Sequence, residues 1–486
     1  MDGSNKMKKL STILVTIGIA TIGMLHTIDA SLQWTQFRAH NNVVSVEAPR
    51  NTAETQLDWA VDITGDYATM TNAIVVDGFI YIASEADNRI VKLNQKGNEV
   101  ASAKLDGSIG YNGYITYGDG MIFVGLSETE FDDSWNVIST STKVQAFDAD
   151  TLTSAWVSEE LGVPGSDEVI QSPIIYYNGF IYFGTANMSM TSGSYIAMST
   201  AKEESEQVNQ EKQIAWRYTP SNESSYLWSG GHIINNTIVF SSNSGELVAC
   251  SLSDGAVLAT KDIDDTVTSS ISYDNGYIYL TTRSANLYKI GYNDSMYFGE
   301  QDVLAVWEGG SMSATPTIYD GKIYLGGSTD ANDFEASGFV AIIDQSTFDI
   351  MYQSEVEGNV QSSLLVNTFY DEVYAYFTQN VQEGGLYSVS VDNDDIAIEN
   401  VFTPKSDQQD FCTTSVITDG NMLYHTNDSG FIMALSIDNT LSSSGKNQSL
   451  ENTNQTLILA GSIAGVVIIV WVVKKGKLSK IVSTKK

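Results

Sequence analysis

Between residues 57 and 440 the apolar positions of the chain fall in short bursts separated by turn residues, and no long segment carries the 3.6-residue spacing of a helix. The clearest unit is Gln171–Ala186, QSPIIYYNGFIYFGTA, in which Asn178-Gly179 separates Ile174–Tyr177 from Phe180–Phe183. Asn-Gly between β-branched and aromatic runs predicts a tight antiparallel hairpin. The same phrase returns at Ile74–Ile82, Ile115–Val124, Ile233–Phe240, Ile271–Leu280, Thr317–Leu325, Leu365–Tyr376 and Val416–Tyr424, giving eight copies. Their turns, at 78, 120, 179, 236, 276, 321, 371 and 420, are spaced by 42, 59, 57, 40, 45, 50 and 49 residues. A step of roughly 40 to 50 residues is the length of a four-stranded propeller blade. The pattern therefore predicts an all-β, eight-bladed β-propeller. Twenty-five Tyr, 39 Gly and six Pro fit short strands and tight turns.

A closed ring needs its seam stitched, usually by a strand from one terminus completing the blade at the other. Leu57–Ile63 (LDWAVDI) has no hairpin partner of its own and is assigned as the outermost strand of the eighth blade, beside Val416–Ile437. Later strands of the repeats bring Trp156, Trp216, Trp307 and Tyr352 to similar positions. In Ala146–Trp156 (AFDADTLTSAW), Asp148 and Thr151 are placed to hold the turn and Trp156 to pack between blades. Two insertions, Glu128–Ser141 and Asn187–Gln213, lengthen the second and third repeats. The charged run Lys202–Lys212 in the latter reads as a solvated loop, with one or two helical turns within its reach.

The pattern Ala-x-Asp-x-x-Thr-Gly-x-x-x-Trp is matched by Ala146, Asp148, Thr151 and Trp156, with Leu152 in the Gly position. Ala249–Ala259 keeps Ala249 and Gly255, and Ile342–Tyr352 keeps Asp344 and Thr347. Together with Trp34, Phe37-Arg38, Asn41-Asn42, Pro49 and Trp59 near the start, these residues make the chain similar to PQQ-like propellers, the fold of quinoprotein alcohol dehydrogenases, over roughly residues 34–437. That family also includes an outer-membrane assembly scaffold that binds no quinone. The resemblance implies two functions: a binding module, or a quinone- or metal-dependent oxidoreductase. The dehydrogenases pair quinone with calcium, a catalytic Asp and a disulfide between adjacent cysteines. Cys250 and Cys412 are far apart in sequence and no carboxylate maps onto that Asp. The expectation is accordingly a binding protein with no cofactor, PQQ or calcium being the alternative.

The ends change the picture of location. Residues 1–30 read as a signal peptide, with Lys6, Lys8 and Lys9 before the apolar run Leu10–Leu25. An uncleaved anchor is the other reading, because Ile28 stands where a smaller residue is usual. A polar lead-in covers 31–56, the propeller 57–440 and a polar stalk 441–456. Leu457–Val473 offers 17 uncharged residues, enough for a short transmembrane helix, and residues 474–486 form a basic tail expected in the cytoplasm. The expected location is the cell membrane, single-pass, with the propeller extracellular. The formal net charge is −34, and residues 31–456 carry 16 basic and 57 acidic side chains. Such a surface repels phosphate backbones, so the expected partner is an extracellular protein or cell-envelope glycan and not nucleic acid.

Candidate chemistry is sparse. In a ring of eight, Cys250 and Cys412 fall in the fourth and eighth repeats, beyond bridging distance, and are predicted to be free thiols. His40, His232 and His425 are widely spaced and no Gly-x-Ser-x-Gly occurs. Acidic clusters at Glu128–Asp133, Asp262–Asp265, Asp330–Asp333 and Asp392–Asp395 have calcium-binding side chains without the EF-hand loop pattern, and read first as turn tips. The innermost strands begin with Thr71, Gly113, Ser172, Ser229, Ser269, Thr315, Ser362 and Thr413, predicted to circle the mouth of the central channel. Small side chains there also suit tight packing around an axis.

Overall fold

A computed structural model describes residues 32–438, apart from 65–69, 111–112, 132–136, 164–165, 203–210, 296, 334 and 393–394, together with 471–474 and 477–480. The chain divides into two units, Met1–Asp438 and Asn439–Lys486. The first is the propeller. Eight antiparallel sheets follow the eight sequence repeats, and each is a blade whose strands run A to D from the axis outward. Blade 1, for example, comprises Ile74–Val76, Phe79–Ser84, Arg89–Asn94 and Glu99–Lys104. The turns between A and B use residues that tolerate left-handed backbone: Asn178 has φ 46° and Gly179 φ 81°.

The seam closes as the pattern predicted. Thr55–Asp62, beginning two residues before the expected strand, pairs antiparallel with Phe431–Ile437, with Leu57 opposite Leu435 and Val61 opposite Ile432. Blade 8 is thus completed from the N-terminal side, with Leu423–Thr426 and Ile417–Thr418 inside it.

Between blades the core is layered aromatic on aliphatic. Trp156 is buried among Phe123, Val144 and Ala146 of blade 2 and Ile181, Phe183 and Ile196 of blade 3, as expected. Trp59 and Trp216 do something sequence reading did not foresee. Each lies over a glycine of the next blade's C–D turn and donates its indole N–H to a carbonyl there: Trp59 to Gln95 O over Gly97, and Trp216 to Leu252 O over Gly255. Trp307 falls just beyond its strand, Tyr297–Ala305, and stacks on Phe339 at 4.9 Å.

Among the described residues, sheet extends into both insertions. Met121–Phe131 and Val137–Asp148 form a long protruding hairpin in blade 2. Glu211–Lys212 adds a fifth strand parallel to Ser154–Ser158, while residues 203–210 of the charged run lie outside the described residues. Blade 7 also gains a fifth strand, on its inner side, where Val43–Val44 of the lead-in runs parallel to Leu365–Asn367.

The expected signal peptide and stalk lie outside the described residues. So does 457–470 of the expected membrane helix. Its last three residues belong to Trp471–Lys474, a strand paired with Lys477–Lys480. The Trp-Val-Val run has the β-branched and aromatic composition of a strand. No helix among the described residues is long and apolar enough to cross a membrane.

Candidate functional site: a strapped central channel

The lead-in is a strap threaded across the channel. Leu32 N donates to Asp419 O of blade 8, and Trp34 exchanges backbone bonds with Val75 of blade 1. Tyr117 N of blade 2 donates to Thr35 O, and Tyr176 N of blade 3 donates to Gln36 Oε1. Arg38 reaches Ser272 Oγ at 2.7 Å in blade 5 and Pro316 O at 2.6 Å at the start of blade 6. Asn42 donates to Ser363 O of blade 7, and Val43–Val44 then joins that blade. These partners lie along the A strands, so the strap crosses the channel and floors a cavity reaching to the strand starts.

The strap achieves this with an unusual backbone. Arg38, His40, Asn41 and Asn42 have φ of 54°, 57°, 54° and 59°. Left-handed backbone costs a non-glycine residue about 1–2 kcal/mol, and Asn tolerates it best. Burial of Trp34, 1% exposed, and the bonds to seven blades offset that cost.

Above the strap lies a cavity of about 770 Å³, its open mouth included. Trp34, Phe37, Tyr114 and Trp228 supply aromatic walls; Arg38 is the only charged side chain among the described lining residues. Burial lowers the Arg38 pKa to about 9, a measure of how poorly its charge is compensated, and leaves it cationic at neutral pH. Burial also pushes the Tyr114 phenol up, keeping it neutral.

Of the eight residues predicted to ring the mouth, Gly113, Thr315 and Thr413 line this cavity. The other five turn their hydroxyls onto their own blades. Thr71 Oγ1 accepts from Ala83 N at 3.0 Å. Ser172 both accepts from Gly184 N and donates to Gly184 O, and Ser269 does the same with Thr281. Ser229 donates to Ser241 O, and Ser362 accepts from Thr378 N at 3.0 Å. Each such hydroxyl locks the start of strand A to the end of strand B. In blade 8 this task falls to Thr414, which donates to Thr426 O at 2.9 Å, and Thr413 precedes it.

The next position carries a second ring, of which Thr315 alone was among the predicted residues, that ties blade to blade. Gly230 N donates to Ser270 Oγ, Ser270 N to Thr315 Oγ1, Thr315 N to Ser363 Oγ, and Ser363 N to Ser415 Oγ. In blade 1 the position is Asn72, whose side-chain oxygen accepts from Ile115 N of blade 2.

Elsewhere the candidate groups have structural partners. Asp148 Oδ1 accepts from the N–H groups of Asp150 and Thr151, as expected, and Lys202 pairs with its other oxygen. Asp265 accepts from Thr282, Ser284 and Asn286, fixing a turn of the neighbouring blade. Asp330 caps its own turn at Asn332 N. Residues 132–133 and 393–394 of the other acidic clusters lie outside the described residues. Among the described residues no three His, Cys, Asp or Glu side chains are grouped to hold a metal ion. His425 donates through Nε2 to Gly384 O, and His40 through Nε2 to Gln33 O. Cys250 and Cys412 are separate buried thiols, raised by burial to about 12 and about 11.

Calcium takes oxygen ligands, Asp and Glu carboxylates prominent among them. The described lining of the cavity holds no Asp or Glu to ligate such an ion.

Solved structures share the architecture. BamB from Moraxella catarrhalis matches at 13% identity over 79% of this chain and 99% of its own, with a TM-score of 0.53. The quinohemoprotein alcohol dehydrogenase ADHIIG from Pseudomonas putida HK5 matches at 10% identity over 83% of this chain and 80% of its own, at 0.61. The quinohemoprotein alcohol dehydrogenase from Comamonas testosteroni matches at 10% over 89% and 84%, at 0.60. No curated protein matches the sequence. Residues 32–296, the strap included, match the family model described as outer membrane protein assembly factor BamB, and the chain belongs to that family of PQQ-like propellers.

Proposed function

We propose that the protein is a membrane-anchored extracellular propeller that acts as a binding and scaffold module for a protein or cell-envelope glycan. The observation that carries this reading is the placement of the chain's two exits. Leu32 lies against Asp419 and Gly420 in the A–B turn of blade 8. Asp438 follows strand C of that blade, Phe431–Ile437, in which Leu435 pairs with Leu423, the start of strand B just after the same turn. Both exits therefore leave one face of the disc. A tether at either end, the signal segment or Leu457–Val473, is thus attached on the strapped side of the propeller, and the opposite face is the one proposed to take the partner. The family's description as an assembly factor favours a protein partner within the envelope.

Crosslinking on intact cells, with photoreactive groups placed in turn on the two faces, tests the reading. Partner capture is expected from the B–C loops near Ser284 and not from the A–B turns near Asp320; capture from the A–B turns alone refutes it. The alternative, a quinone- or metal-dependent oxidoreductase, draws on fold likeness. Titration with PQQ and calcium separates the two: a stoichiometric chromophore favours the enzyme, and an unchanged spectrum favours the binding module.

A further inference from the structure

Seven Asn-x-Ser/Thr triplets without a central Pro occur in the chain, two of them, at Asn447 and Asn454, outside the described residues. That triplet is the acceptor for N-linked glycan, and transfer needs the Asn amide and the hydroxyl two residues on to be reachable together. The five described copies differ in this respect. Asn187 and Asn427 are buried, and their amides are bonded within the protein: Asn187 Nδ2 to the hydroxyls of Ser189 and Thr191, Asn427 Nδ2 to Gln408 O. Asn222 and Asn235 are exposed, but the hydroxyl residues of their triplets, Ser224 and Thr237, are buried. Their amides are taken as well, by Ser244 Oγ and by both carboxylate oxygens of Asp294.

Asn293-Asp294-Ser295 is the exception. All three residues are exposed, at the tip of the hairpin that joins Asn286–Asn293 to Tyr297–Ala305 in blade 5. Asn293 Oδ1 accepts from Ser295 N at 3.0 Å and from Ser295 Oγ at 2.7 Å. The chain is thus already looped so that the hydroxyl meets the carboxamide. An amide nitrogen is a poor nucleophile, because its lone pair is delocalised onto the carbonyl oxygen. A hydroxyl donating to that oxygen stabilises the charge it gains as the nitrogen gives up its proton. A turn held for structure alone would use only Asn293 Oδ1 and Ser295 N. As a C–D turn, the tip lies on the same side of the disc as the A–B turns and the two chain exits.

We propose that Asn293 is an N-glycosylation site. Its Nδ2 forms a bond to C1 of a sugar carried on a lipid pyrophosphate, and the C1–O bond to that carrier breaks. The lipid pyrophosphate leaves, the Nδ2 proton passes to a base of the membrane-bound transferase, and nothing is oxidised or reduced. The inference rests on the extracellular, membrane-anchored reading above, because such a transferase meets only chains that reach the outer side of the membrane. A glycan at this tip hangs from the strapped side and leaves the B–C loops open to a partner.

The test takes the protein from the membranes of the cells that make it, digests it and reads the peptides by mass spectrometry. The peptide with Asn293 is expected to carry sugar mass, and those with Asn187 and Asn427 none. Ser295→Ala keeps the backbone N–H bond to Asn293 and is expected to lose the sugar, whereas Ser295→Thr restores a hydroxyl and is expected to keep it. A membrane-impermeant amine reagent added to intact cells gives the second readout, through exposed lysines such as Lys96. Bare Asn293 on a propeller that the reagent labels overturns this proposal and leaves the extracellular reading standing. Bare Asn293 on a propeller that the reagent does not reach overturns both. Sugar that survives Ser295→Ala, or equal occupancy of the buried Asn187 and Asn427, overturns the proposal as well.

Discussion

The contact between Trp59 and Gly97 stitches blade 8 to blade 1, and replacing that glycine isolates its worth. Gly97 has φ +75°, and a Cβ there would lie 2.7 Å from Trp59 Cδ2, inside van der Waals distance. Alanine at this position therefore carries two costs: about 1–2 kcal/mol for left-handed backbone, and about 1–3 kcal/mol for overpacking. Swinging the ring aside gives no easy escape. The indole N–H donates to Gln95 O at 3.0 Å, worth about 1 kcal/mol, and the ring also packs on Tyr424. Gly120 supplies the control: its φ is +74°, and a Cβ there would meet nothing within 4 Å. Gly120→Ala carries the backbone cost alone.

The expected destabilisation is about 2–5 kcal/mol for Gly97→Ala against about 1–2 kcal/mol for Gly120→Ala. Urea unfolding followed by tryptophan fluorescence reads both, and constant m-values confirm that only stability has changed. In a Trp59→Ala background the excess at Gly97 should vanish, since the pair is directly coupled. If the two glycine variants agree within about 0.5 kcal/mol, or the excess survives without Trp59, the indole does not hold the seam.

Gly255→Ala should repeat the result inside the ring, because its Cβ would meet Trp216 at 2.6 Å; an effect no larger than that of Gly120→Ala contradicts this. Acid should destabilise the fold. Burial lowers His232 and His425 to about 4, so the unfolded chain takes up their protons first, and stability falls between about pH 6.5 and 4 by about 3 kcal/mol for each. Asp428 works in the opposite sense. Burial and the charge of Asp410 raise it to about 6, so the fold prefers its protonated form and loses about 3 kcal/mol as pH rises from about 4 through 6. Asp428→Asn should accordingly stabilise the protein at pH 7 and have no such effect at pH 4; equal effects at both contradict the assignment. Both thiols should resist a thiol reagent in the native state and react together on unfolding, since each is buried with its pKa pushed upward; rapid modification of either in the folded protein refutes this.

Most of the wheel was legible because its signals are local. Asn178-Gly179 and Asp320-Gly321 set their turns through their own backbone preferences, and Asp148 bonds the N–H groups two and three residues on. The seam strand was found by elimination, having no hairpin partner nearby. The channel was legible only in part, because two hydroxyl rings occupy adjacent positions and face different ways. Ser172 belongs to the ring that locks its own blade; Thr315, assigned to the same set, belongs to the ring that joins blades. Alternation along a strand flips the role of a side chain with a one-residue slip, and composition alone does not fix that register. Leu152 shows a milder case. It holds φ 53° at the position where the family pattern has Gly, and burial of its side chain compensates for the backbone.

The strap was illegible for a deeper reason: it has no periodicity, since each of its residues answers to a different blade. Its bonds span great lengths of chain, with 321 residues between Asn42 and Ser363 and 346 between Thr55 and Val401. Such contacts bring their stabilisation only after the intervening loop is closed, so they belong late in folding. The stretch from Leu32 to Asp62 touches blade 8, runs around the axis and returns to complete blade 8. Arg38 and Asn42 therefore reach their positions over the cavity only when the ring is whole. A loosened seam would unmake the channel floor together with the fold.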